Sequence, residues 1–197
     1  MFKKLRDLVS MENGNVFPKD TSLNDGELKK ELCYLYSPAV FEYDRYLGGD
    51  AKGDERYIEF PQKFISVLTG DIVISPVTQL ATIVRNHGTP LLLSPNYVKV
   101  LPDEEKLDRA YFVFWFNELF ESRKQIFEMK QGTTVIKLST NSLKELTISL
   151  PNLTQQKLIG TGYINSLMLV EQLKRKQKLQ VALLKGINQQ LIEGEKL

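Results

Sequence analysis

Leu143-Lys144-Glu145-Leu146-Thr147-Ile148-Ser149-Leu150-Pro151 is the stretch on which the chain turns, because the patterning differs on its two sides. After Pro151 no proline occurs between Thr154 and Glu193. Over that run Leu158, Ile159, Tyr163, Leu167, Val170, Leu173, Val181, Leu184, Ile187 and Leu191 recur at a spacing of three to four, the period of an amphipathic helix. Thr154 is placed to be its N-cap and Gly194 its terminal glycine. About forty helical residues would span about 60 Å, more than a body of this size can cover. An apolar stripe of that length needs a partner helix. Lys174 and Gln177 interrupt the stripe, and Gly160, Gly162 and Gly186 each cost ~1 kcal/mol against Ala, so tertiary or intersubunit packing must stabilise it.

Upstream lies a mixed body. Tyr57–Phe60, Asp71–Ile74, Leu80–Val84, Tyr97–Val100, Thr133–Leu138 and Leu146–Leu150 are short and rich in β-branched or aromatic residues, and read as strands. Turn formers bound them at Gly48-Gly49, Gly53-Asp54, Thr69-Gly70-Asp71, Asn86-His87-Gly88 and Ser94-Pro95-Asn96. One helix is expected inside the body, over residues 104–129, with Asp103 as cap and acids in its first turn. Leu107, Tyr111, Phe114, Trp115, Leu119 and Phe120 follow at helical spacing, and their aromatic density predicts deep burial rather than a platform for stacking bases. The fold class is therefore α+β, a mixed-strand body ending in one long helix.

The 197 residues (22.6 kDa) suit one ordinary domain with an appended element. With 42% hydrophobic and 25% charged residues, intrinsic disorder and collagen-like architecture are excluded. The longest apolar stretch, Tyr111–Phe116, is far short of the ~20 residues of a membrane helix. No export signal follows Met1-Phe2-Lys3-Lys4, and a single cysteine, Cys33, excludes an intramolecular disulfide and a multi-cysteine zinc site, so a cytoplasmic setting is expected. Residues 154–197 hold 7 basic and 3 acidic side chains, whereas residues 1–153 hold 19 and 21, giving +4 and −2 for the two segments.

Catalytic patterns are missing. His87 sits in a polar Asn-His-Gly turn far in sequence from Cys33 and reads as a solvated turn histidine. No nucleophile elbow, Walker A loop or dinucleotide fingerprint occurs. Ser94-Pro95-Asn96-Tyr97 resembles the motif with which amino methyltransferases hold a flipped base, but the second proline and a glycine-rich cofactor turn are missing. A turn entering the strand at Tyr97 accounts for these residues.

Four stretches together resemble the specificity subunits of type I restriction–modification systems. They are Lys4–Val9 with Asn13-Gly14; Leu68–Ser75 with its Gly-Asp-Ile-Val core; the Tyr111–Phe120 helix; and Gly132-Thr133-Thr134 followed by Leu143–Pro151 and Gln155–Ile159. The resemblance implies a DNA target recognition domain over residues 1–150 and a spacer and dimerisation helix over residues 151–197. Members of that family usually carry two such units whose helices pack antiparallel. Here there is one, so the resemblance implies that a second copy supplies the antiparallel partner, with Tyr163, Leu167, Val170, Val181, Leu184, Ile187 and Leu191 at the contact. A two-fold homodimer predicts an interrupted, palindromic double-stranded DNA site.

In this reading the chain is not an enzyme. It binds no metal and no cofactor of its own, and S-adenosylmethionine belongs to a partner adenine methyltransferase. That methyltransferase would dock on the helices, joined by a translocating restriction subunit where one exists. Lys174, Arg175, Lys176 and Lys178 form either that docking face or a solvated one. Base readout calls for Arg, Lys, Asn or Gln on loops held by a scaffold. The candidates are Thr78, Gln79, Arg85, Asn86 and His87 after the Gly-Asp-Ile-Val strand, and Lys130, Gln131, Thr133, Thr134 and Lys137 in the later loop. Lys52 and Arg56 are candidate phosphate contacts, and for every one of these residues a surface role without DNA is the competing reading. The −2 body predicts weak binding by the chain alone. A different reading of the same fold is a truncated specificity half that pairs with a full-length subunit as a regulatory interaction protein.

Overall fold

The computed structural model describes residues 2–16, 30–46, 54–59, 64–129 and 138–194. Ten strands and five α-helices occur among them: β1 (Phe2–Lys4), β2 (Val9–Asn13), β3 (Lys30–Tyr36), α1 (Pro38–Tyr46), β4 (Asp54–Glu59), β5 (Ser66–Val67), β6 (Ile72–Ser75), β7 (Leu80–Ile83), β8 (Leu91–Leu93), β9 (Val98–Pro102), α2 (Arg109–Glu118), α3 (Phe120–Glu128), α4 (Thr140–Glu145), β10 (Thr147–Ser149) and α5 (Leu153–Gly194). The α+β class and the long C-terminal helix are as the sequence predicts.

A central sheet in the order β2-β9-β6-β7 separates two cores. Its strand β6 is buried on both faces, which is why Ile72-Val73-Ile74 is a continuous apolar run instead of an alternating one. Ile72, Ile74, Val98 and Val100 face a core built on α2, with Phe112, Trp115 and Phe116. Val73, Val84 and Tyr97 face a second core, with Tyr36, Val40 and Phe41 of β3 and α1. Beyond it lies a sheet in the order β4-β3-β8-β5. The Thr69-Gly70-Asp71 turn that launches β6 is held by the Asp71 carboxylate, which accepts from Leu68 N at 2.8 Å and pairs with Lys99 at 2.7 Å. Gly70 lies at φ +91°, where a side chain would be strained.

The first strand meets the last. β1 pairs antiparallel with β10, Phe2 opposite Ser149 and Lys4 opposite Thr147. Glu145 ties this corner by ion pairs to Lys4 at 2.6 Å and Arg6 at 3.0 Å. The sheet edges at β7 and β10 are closed by side-chain amides standing in for a strand. Asn117 exchanges two bonds with the backbone of Ala81 at 2.8 and 2.9 Å, and Gln125 does the same with Thr147, both at 2.8 Å.

Several expectations are corrected. The helix expected over 104–129 does not start at Asp103, whose carbonyl and carboxylate close a separate turn on Glu105, Lys106 and Leu107. Its cap is Asp108, which accepts from Tyr111 N at 2.9 Å. It then breaks at Leu119, extended at ψ 131°. The break lets α2 be enclosed almost all round while α3 lies at the surface, so Phe120 is 78% exposed, not buried. The body also holds α1, which the sequence does not announce; α1 begins with the pair Ser37-Pro38, Pro being favoured in a first turn. The cap of α5 is Asn152, not Thr154: Gln155 N donates to Asn152 Oδ1 at 2.9 Å, and Gln155 Oε1 accepts from Asn152 N at 3.3 Å. Most of the strand expected over Thr133–Leu138 lies outside the described residues.

Candidate nucleic-acid interface

The hairpin β6–β7 carries the first group of candidates at its two opposite ends. At its tip Gln79 N donates to Ser75 O at 2.7 Å, and Gln79 takes the left-handed φ of 57° that turns the chain into β7. Val77 and Thr78 are exposed there, while Gln79 is buried and its carbonyl accepts from Arg123 at 2.8 Å. Leu138 N donates to Pro76 O at 3.4 Å, which sets Leu138 beside the same tip. Lys130, Gln131, Thr133, Thr134 and Lys137 of that loop, and Lys52, lie outside the described residues. Arg56 stands in β4 opposite Cys33.

Arg85, Asn86 and His87 lie at the other end of β7. His87 is not solvated, as its Asn-His-Gly setting suggested. Its ring is buried with Nε2 2.8 Å from Asp44 Oδ1, a residue 43 positions away that no local pattern reveals. Asp44 also accepts from Arg85 N at 2.8 Å and from the Tyr36 hydroxyl at 2.7 Å. Burial and the Asp44 charge push the Tyr36 hydroxyl well above its ordinary pKa. The Arg85 guanidinium donates to Asp44 O at 3.2 Å and approaches Met168 Sδ of α5 at 4.0 Å. Asn86 alone of the three is exposed. Arg85→Ala is expected to lower stability by ~1.5–3 kcal/mol in a urea melt, the range for a hydrogen bond to a charged group. Unchanged stability with a relaxed DNA motif would instead put Arg85 on the DNA.

An open cleft of about 510 Å³ faces the hairpin tip from the other side. Asn13, Gly14 and Val16 form one wall, Pro76, Pro95 and Val98 another, and Leu138, Ser139, Thr140 and Asn141 the third. Gly14 is required where it stands, because a Cβ there would lie 1.8 Å from Ser94 O. That close approach, with Gly14 N on Tyr97 O at 3.0 Å and Asn15 N on Leu93 O at 2.7 Å, fixes Asn13 at the cleft rim. Thr140 Oγ1 donates to Asn13 Oδ1. The sequence reading passed over Asn13, Thr140 and Asn141; the Asn-Gly pair was the available signal. Tyr97 of Ser-Pro-Asn-Tyr is a core residue, stacked on Phe41 at 5.6 Å and edge-on to Tyr36 at 5.2 Å.

The root of α5 is keyed into this body. Gln156 is buried, with Oε1 accepting from Asp108 N at 2.9 Å and Nε2 donating to Lys106 O at 3.1 Å and Pro151 O at 2.9 Å. Tyr163 and Leu167, assigned from sequence to the contact with a second copy, are half-buried against the chain's own body: Tyr163 packs on Phe114, and Leu167 lines a hollow with Asp44, Arg45 and Ile83. Val170, Val181, Leu184, Ile187 and Leu191 are 44–65% exposed. Lys174 lies over the Tyr46 ring at 5.3 Å, which takes it out of the freely solvated face.

Desolvation pushes the Tyr163 hydroxyl from 10.0 to about 12, opposed by the Asn117 amide and reinforced by Glu118, which accepts its proton at 2.8 Å. A raised folded-state value means that this contribution is intact below pH 10 and lost as pH rises toward 12. The wild type is therefore expected to lose stability more steeply over that window than Tyr163→Phe. Parallel alkaline melts of the two proteins would contradict it.

No group of His, Cys, Asp and Glu among the described residues could hold a metal ion, and no described helix is long and apolar enough to cross a membrane. The family described as type I restriction modification DNA specificity domain matches residues 1–191. The chain belongs to this family. Its specificity fold also appears in solved structures. The HsdS subunit from Thermoanaerobacter tengcongensis aligns at TM-score 0.55 and 18% identity, over 90% of this chain and 39% of that one. A chain from a study of complex assembly and conformational transition of the type I R-M system aligns at TM-score 0.60 and 17% identity, over 95% and 43%. The type I S subunit from M. genitalium aligns at TM-score 0.51 and 13% identity, over 95% and 44%. The chain thus spans about two fifths of these specificity proteins. No curated protein matches it in sequence.

Proposed function

We propose that this specificity chain works as a homodimer, paired antiparallel through α5, that directs a partner adenine methyltransferase to an interrupted palindromic site in double-stranded DNA. The chain supplies recognition and no chemistry. The methyltransferase carries S-adenosylmethionine, and a restriction subunit joins where the system has one. The boundary of the recognition unit falls at residues 150–151, with residues 151–197 as the pairing element. The observation that carries this reading is the exposure of Val170, Leu173, Leu184, Ile187 and Leu191 along the outer part of α5, in a chain about two fifths the length of its structural relatives. An apolar stripe that its own body does not cover calls for a second helix, and an identical one provides it with two-fold symmetry.

Thr78 at the hairpin tip, Asn86 beyond β7 and the basic loop around Lys130, Gln131, Thr133, Thr134 and Lys137 are the proposed DNA contacts, with Lys52 and Arg56 on phosphate. Gln79, Arg85 and His87 support that surface from beneath, since their polar atoms are engaged within the protein. Single-molecule methylation sequencing of cells expressing the chain with its methyltransferase tests the reading. A new interrupted palindrome is expected. An asymmetric motif would mean that the chain pairs with a full-length specificity subunit, and no new motif from an assembled complex would defeat the recognition reading.

A further inference from the structure

The open cleft bounded by Asn13, Pro76 and Asn141 differs from a phosphate site in one respect that bears on its chemistry: among the described residues, none of the side chains lining it is charged. Phosphate contacts draw chiefly on Lys and Arg, whereas base edges are read by neutral amides and apolar groups. The two asparagines are not equivalent. Asn13 Oδ1 accepts from the Thr140 hydroxyl, which orients the amide so that its Nδ2 group serves as the donor side. Asn141 is exposed, and its amide makes no hydrogen bond among the described residues, so it presents a donor and an acceptor side by side. That pair matches the N6 donor and N7 acceptor of adenine in the major groove. Val16, 82% exposed on the facing wall, offers a methyl surface of the kind that suits a thymine methyl.

Building on the recognition reading above, we infer that this cleft is a specificity-determining site that reads an A·T pair, with Asn141 bidentate on adenine and Asn13 contributing one further donor. The positions are rigidly supplied. Gly14 cannot move from the Ser94 backbone, Leu138 is pinned to Pro76, and Ser139 caps the short α4 through Ser142 N at 3.0 Å. A carboxylate at position 141 would accept but not donate, which suits the N4 amino group of cytosine and not adenine.

Methylation sequencing of the complex assembled with wild type, Asn141→Ala and Asn141→Asp separates the outcomes. Asn141→Ala is expected to make one A·T position in each half-site degenerate, its preference falling roughly ten- to a hundred-fold, the usual range for one bidentate base contact. Asn141→Asp is expected to move that same position toward cytosine. A wild-type motif retained unchanged in both variants overturns the assignment of the cleft while leaving the recognition function standing. A wild-type complex that yields no motif overturns the recognition reading, and the assignment with it.

Discussion

Leu184→Glu is expected to convert the proposed dimer to a monomer while leaving the recognition body folded. Leu184 is 59% exposed in the single chain and lies ten residues beyond Lys174, which reaches the Tyr46 ring of the body. Burying a leucine stabilises an interface by ~1.5–3 kcal/mol. Two-fold symmetry counts that loss twice, so about 4 kcal/mol, or about a thousandfold in Kd, disappears before the cost of desolvating two carboxylates. Light scattering at micromolar protein should show the monomer mass, with circular dichroism showing an intact body. Lys178→Glu lies off the stripe and should keep the dimer. Retention of dimeric mass by Leu184→Glu would refute pairing through this face. In the proposed dimer each body reads one half-site, so the monomer should also lose the interrupted palindrome and not merely weaken its methylation.

What could be read from the sequence follows from how far each signal reaches along the chain. The stripe of α5 and the Gly-Asp-Ile-Val strand are periodic or continuous, so neighbouring residues suffice to define them. The Gln155-Gln156 pair was legible as a helix start, but its two halves do different work: Gln155 closes the cap on Asn152, and Gln156 reaches back to residues 106 and 108. Only the first of these is local. The same limit explains His87, whose polar neighbours suggested water while its partner Asp44 arrives from a helix that had not been identified. That helix, α1, was missed because its nine residues hold three aromatics that suit a strand equally well, although Ser37-Pro38 marks its start. Asp103 and Asp108 offer the same capping chemistry from sequence, and only the geometry of Tyr111 N separates them. For the candidate site, Thr78 could be reached only as a loop residue following the Gly-Asp-Ile-Val strand. The cleft was not, since Asn13 and Asn141 are far apart in sequence and meet only because β2 ends beside α4.

Gly160→Ala is expected to be among the most damaging small substitutions in the molecule, although helix propensity alone predicts the opposite. In an exposed helix, replacing glycine by alanine stabilises by ~1 kcal/mol. At position 160 the added Cβ would lie 2.4 Å from Tyr111 N and 2.7 Å from Ala110 C and Cβ, the first turn of α2. These neighbours are mostly backbone and cannot rotate away, so α5 must back off by about 1 Å to restore ordinary contact. Gln156 lies one turn before and Tyr163 one turn after, so the displacement pulls on the amide's three bonds and on the phenol's bond to Glu118. Overpacking costs ~1–3 kcal/mol, and a buried polar group left unsatisfied adds ~1–3 kcal/mol. A loss of about 3 kcal/mol or more is expected in a denaturant melt. Gly162 and Gly186 supply the control, because a Cβ at either meets nothing within 4 Å. Gly162→Ala and Gly186→Ala should each hold or gain up to ~1 kcal/mol. The opposite signs are the test: three glycines in one helix are equal by propensity, and only one lies where that helix touches another. If all three variants stabilise, α5 does not cross α2 at this distance, and Gln156 would have to hold the junction without close backbone contact.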